Sequence, residues 1–187
     1  METEANKQSH QPPDVLSVSE TARGLFPYDE NVVFHGSLYF KKNKSLPSPA
    51  EVRETAARST DYRVSNPRRP PPVFFSQLGL VVKYGTEITL AEGQCLLYIR
   101  RGLYPEVPVP EIYGWCRDGD QVFLYMELIE GITLEKSWET LAEDDRIFVC
   151  RQLRSMIGAW RGLKQDYSPQ FMGSPTCACI MNGILLI

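Results

Sequence analysis

The clearest hydrophobic pattern along the chain begins at Leu78. Leu78 to Tyr84 (Leu-Gly-Leu-Val-Val-Lys-Tyr) is a nearly continuous apolar run with one charge near its end, and it predicts a strand. Thr89-Leu90-Ala91-Glu92 then has the spacing of a capping box, which predicts a helix running to about Arg101. Val107-Pro108-Val109-Pro110 is extended, because each proline excludes its predecessor from helical geometry. Two further strands are predicted over Glu111–Cys116 and Gln121–Glu127, joined by the turn Arg117-Asp118-Gly119-Asp120. Two helices should follow. The second, over about Ala142–Leu163, places Val149, Leu153, Met156 or Ile157, Trp160 and Leu163 on one face.

Upstream of Leu78 the pattern is weaker. Met1 to Thr21 has no apolar periodicity and contains Gln11-Pro12-Pro13, so it reads as disordered. Asn31 to Phe40 is rich in β-formers around Gly36 and predicts a short hairpin. Pro47 to Arg58 predicts a helix. Arg68-Arg69-Pro70-Pro71-Pro72 ends regular structure and reads as a linker, since proline fixes φ and donates no backbone hydrogen bond.

Composition narrows the classes. A chain of 187 residues, 43% apolar and 23% charged, suits one ordinary globular domain. A net charge of −3 supplies no basic field for nucleic acid or an anionic membrane. Five cysteines at irregular spacing and a polar N-terminus without an apolar signal core point to a reducing, cytoplasmic setting. Nothing approaches the roughly 20 apolar residues needed to span a bilayer.

Three segments carry a family resemblance. They are Gly79-Leu80-Val81-Val82-Lys83-Tyr84-Gly85 with Leu90-Ala91-Glu92, then Val107 to Trp115, then Tyr125-Met126-Glu127-Leu128-Ile129-Glu130-Gly131-Ile132-Thr133-Leu134. Together with Cys150-Arg151-Gln152-Leu153-Arg154, this order resembles the aminoglycoside phosphotransferase family, in a branch common in filamentous fungi. The resemblance spans about Pro70 to Ser174.

It implies an α+β fold: a protein-kinase-like small lobe, with an antiparallel sheet and one helix, leading into the first helices of an incomplete large lobe. The implied organisation is a disordered stretch over 1–21, a hairpin, helix and Pro-rich linker over 22–72, and an ATP-binding lobe with its hinge over 73–130. The large lobe would begin over 131–174, ahead of a divergent apolar tail over 175–187.

The resemblance also implies roles. Lys83 would bind the phosphates of ATP and pair with Glu92. A point charge on a flexible stem suits that task, whereas the plain alternative is a strand-end lysine reaching for water. Glu92 has a rival use as the capping-box carboxylate opposite Thr89, and Glu87 is a lesser substitute partner. Met126 would face the adenine pocket, where a thioether suits an aromatic base. The carbonyl of Glu127 and the amide of Ile129 would read the adenine edge.

Other parts of the family's machinery do not stand in this sequence. No Gly-x-Gly-x-x-Gly precedes Lys83; Gly36 and Gly79 are the nearby candidates. Phosphoryl transfer needs an Asp to orient the acceptor hydroxyl and further residues to hold Mg²⁺. In the family these come from a His-Gly-Asp-x-x-x-x-Asn loop after the hinge and a later Asp. The only two histidines, His10 and His35, both precede Lys83, and His35-Gly36-Ser37-Leu38 resembles the loop only superficially. No catalytic residue or metal ligand is assigned, and the chain is expected to be inactive. Its small hydroxylated acceptor would belong to a complete homologue. The uncharged stretch Pro175 to Ile187 suggests a reading frame that departs from the family after Ser174. The alternative from another class is a non-catalytic nucleotide-binding or protein-interaction module, its partner meeting the exposed helix face.

Overall fold

The computed structural model describes residues 29–163, so the expectations for 1–21 and 175–187 lie outside the described residues. The described residues are mixed α+β, with a five-stranded antiparallel sheet and four α-helices. The strands are β1 (Val32–Val33), β2 (Val73–Phe75), β3 (Leu80–Gly85), β4 (Ile112–Asp118) and β5 (Gln121–Glu127). The helices are α1 (Pro49–Ala57), α2 (Leu90–Leu103), the short α3 (Leu134–Ser137) and α4 (Glu143–Arg161). Across the sheet the order is β1-β4-β5-β3-β2, which puts β5 at the centre.

Strand periodicity of two divides the core. Val122, Leu124 and Met126 of β5 join Leu96 and Leu97 of α2, Ile112 and Trp115 in one buried cluster, with Val81 of β3 packed against it. Phe123 and Tyr125 join Leu80, Val82 and Tyr84 of β3 in a second cluster, which Val52 and Ala56 of α1 complete. The sheet is therefore covered on both faces. The expected single-helix arrangement is corrected by α1, whose Val52 is fully buried.

Two local expectations also change. No hairpin forms over Asn31–Phe40. Val32 and Val33 pair with Trp115 and Gly114 of β4, and a turn then leads into a 3₁₀ helix over Tyr39–Lys41 that buries Tyr39. The β-formers found a partner strand some 80 positions away, an instance of tertiary context deciding strand pairing. The Pro-rich stretch is docked rather than loose: the Pro67 and Arg68 carbonyls accept from the Thr86 and Glu87 N–H groups. Gly85, at φ 141°, makes this approach possible, because a Cβ there would overlap the Arg68 carbonyl.

The β4–β5 hairpin follows the sequence expectation. Asp118 pairs with Gln121, and Gly119 takes φ 64° in the two-residue turn. The last helix also forms where periodicity placed it. No side chain of α4 is buried, so Leu153, Ile157 and Trp160 are open to solvent. Among the described residues, no helix is long and apolar enough to cross a membrane.

Candidate functional site around Lys83

Lys83 stands on β3 opposite Leu124 of β5, on the strand face that carries Val81 toward α2. A lysine so near the sheet centre needs a counter-charge, and α2 provides it. Lys83 Nζ donates to Glu92 Oε1 at 2.8 Å. The lysine side chain keeps 30% of its exposure and the glutamate 15%, so the ammonium remains accessible while the carboxylate is mostly covered. An ammonium has three donor positions, and this contact uses one.

The two rival uses of Glu92 are thereby separated. The Thr89 side chain makes no capping hydrogen bond, and the Glu92 N–H donates to the Thr89 carbonyl instead. Glu87 lies 3.9 Å from Arg68, in an exposed pair of its own. The approach of α2 depends on Gly93. A Cβ there would stand 3.1 Å from the Trp115 ring and 3.2 Å from Leu124 Cδ2, tighter than ordinary packing. Burial first, and then the nearby Glu92 carboxylate, push the Cys95 thiol above its ordinary pKa.

A second tie holds the other end of α2, and sequence reasoning missed it. Arg100 Nη1 donates to the Val109 carbonyl at 2.7 Å and lies 3.8 Å from Glu127 Oε2. Glu127 Oε2 also accepts from the Glu111 N–H at 3.0 Å. Arg100 lies eight residues after Glu92, about two helical turns, and this spacing was the available signal. Beside this knot the Tyr113 phenol is pushed up to about 12, by burial first and then by Glu127 and Glu111.

The expected hinge residues fall in different settings. Met126 is 4% exposed within the same buried cluster as Leu96, Ile112 and Leu124, so it is core rather than the wall of an open cleft. Its neighbour across the strands, Val81, is half-buried on the same face. Alternation from Lys83 would have found Val81 two positions earlier. The Leu128 N–H is spent on the Gly79 carbonyl. Ile129 is 62% exposed, and among the described residues its amide has no partner. Gly131, at φ 136°, then turns the chain toward α3.

The donor set fits a nucleotide in part. Lys83 presents an oriented cation with spare donors, and Ile129 an amide that no described residue engages. Among the described residues, no group of three or more His, Cys, Asp or Glu side chains is placed to hold a metal ion. A separate groove of about 360 Å³ lies against α4, lined by Trp138, Ile147, Cys150 and three arginines among others, with none of the Lys83 set. Searches of protein-family models, curated proteins and solved structures found no significant match to this chain.

Proposed function

We propose that the chain binds ATP on the α2 side of its sheet, as a kinase-like small lobe of aminoglycoside phosphotransferase type. The observation that carries this reading is the 2.8 Å contact from Lys83 to Glu92, made in place of the cap at Thr89. A mostly covered carboxylate holding a partly exposed ammonium is a device for aiming a cation. Strand–helix–strand–strand order, with the lysine on the first strand and an exposed turn after the last, supports the same reading.

In it, Lys83 Nζ donates to a phosphate oxygen while Glu92 fixes its direction. The half-buried Val81 offers an apolar surface to the base. The Ile129 amide and Glu127 carbonyl supply the paired donor and acceptor that an adenine edge requires. No His-Gly-Asp-x-x-x-x-Asn loop stands in the sequence, so the proposed activity is binding without turnover. Phosphoryl transfer to a small hydroxylated acceptor belongs, on this reading, to complete relatives.

Calorimetric titration of the full chain with ATP tests it. Saturable binding is expected, weakened roughly tenfold or more by Lys83→Ala, as for loss of a charge-assisted contact. Glu92→Gln should weaken it less. A folded wild-type chain that takes up no ATP would overturn the proposal. A second reading, a protein-interaction module, is favoured by the exposed apolar row on α4.

A further inference from the structure

The geometry points to a second copy of this chain as the partner of α4, in an antiparallel helix pair. The helix has 19 residues and is about 28 Å long. Val149, Leu153, Met156 and Trp160 recur at spacings of four, three and four, the seam from which paired helices are built. Ile157 widens that seam. Leu153, Ile157 and Trp160 are 42%, 47% and 45% exposed, so the row is available rather than consumed by the sheet.

Charge selects the occupant and its direction. Glu143, Asp144 and Asp145 open the helix, ahead of Arg146, whereas Arg154 and Arg161 occupy its second half. Glu143, Arg154 and Arg161 lie along one flank of the apolar row, because their separations of 11 and 7 residues are close to three and two whole turns. Turned end over end about a dyad near Leu153, the helix brings the acidic opening of one copy to Arg161 of the other, at both ends. A parallel pair would instead put the two copies of this flank on opposite sides of the seam, leaving Glu143 and Arg161 without each other. The two ends of the surface are therefore complementary to themselves in one orientation, while the two Arg154 side chains meet near the dyad. Acidic residues at a helix start also match the helix dipole. Arg161 in the last turn matches it too, but that local role predicts no exchange between chains.

Sedimentation of the full chain over a concentration series, up to roughly 100 µM, reads the dimer expected of so small an interface. Leu153→Asp should weaken association at least about tenfold while circular dichroism keeps its helical signal. Glu143→Lys and Arg161→Glu should each weaken it, since each alone sets like charges together at both ends. Mixing those two variants should restore association as a heterodimer, because both contacts are then attractive. Restoration on mixing also shows that both variants are folded. A wild-type chain that stays monomeric, a dimer indifferent to Leu153→Asp, or variants that do not rescue one another would each overturn the proposal. It is independent of ATP, so its failure would leave the Lys83 site untouched.

Discussion

The same four-residue pattern opens two helices and is used in opposite ways. At α1, Ser48-Pro49-Ala50-Glu51 closes on itself. Ser48 Oγ accepts from the Glu51 N–H at 3.3 Å, and the Ser48 N–H donates to Glu51 Oε2 at 2.7 Å. At α2, Thr89-Leu90-Ala91-Glu92 stays open, and its glutamate reaches Lys83 on a strand. The following residue differs too. Val52 inserts fully into one core, while Gly93 leaves room for the sheet to come close. A capping motif is a local offer, and an unpaired ammonium within reach outbids it: the cap bond has charge on the acceptor alone, the ion pair on donor and acceptor both. One glutamate keeps a helix end in order, and the other ties a helix to a site.

The comparison breaks most severely at Gly93. Gly93→Val should destabilise the fold by about 1–3 kcal/mol, the usual range for overpacking, because the Trp115 ring and Leu124 would have to shift. Chemical denaturation reads the loss, and ATP affinity should fall with it as α2 moves off β3. Next comes the ion pair itself. Lys83→Met should cost about 1–2 kcal/mol by leaving a largely covered carboxylate without its donor, whereas Lys83→Met with Glu92→Gln should recover part of that cost. A double-mutant cycle with no coupling would mean the 2.8 Å contact is idle in solution.

The gentlest test compares the caps. Ser48→Ala should cost about 1 kcal/mol, while Thr89→Ala should cost only a few tenths, because its hydroxyl caps nothing. A pH dependence is expected at α1. Hydrogen bonds from the Ser48 backbone and then its side chain hold the Glu51 carboxyl below its ordinary value. Its contribution is therefore complete above the unfolded carboxyl's pKa and disappears as pH falls through the lowered folded one. Titration of Glu51 followed by NMR, with and without Ser48→Ala, reads the shift directly.

What sequence reveals here depends on how far away the deciding partner lies. The strand around Lys83, the β4–β5 hairpin and α2 were legible because alternation, turn residues and helical spacing act within a few positions. The choice between cap and ion pair was visible as a choice, but the geometry that settles it is set by Gly93 against Trp115, 22 positions on. Asn31–Phe40 misled because its β-formers could not announce a partner at Trp115. For α1 the helix was legible and its place was not: only Val52 and Ala56, one turn apart, mark the face that covers the sheet. Met126 shows the opposite limit. A thioether at a strand end suits an adenine wall and a core equally well in sequence, and its neighbours make it core.

The margins of the sheet have a consequence for how this molecule meets others. Its outer strands, β1 and β2, are two and three residues long. Beyond β1, the Asn31 side chain takes the Arg117 N–H that would otherwise continue the ladder outward. A passing chain thus finds little backbone to zip onto, and that kind of adhesion is indifferent to sequence. Encounters are left to side chains, where recognition can be tuned one residue at a time.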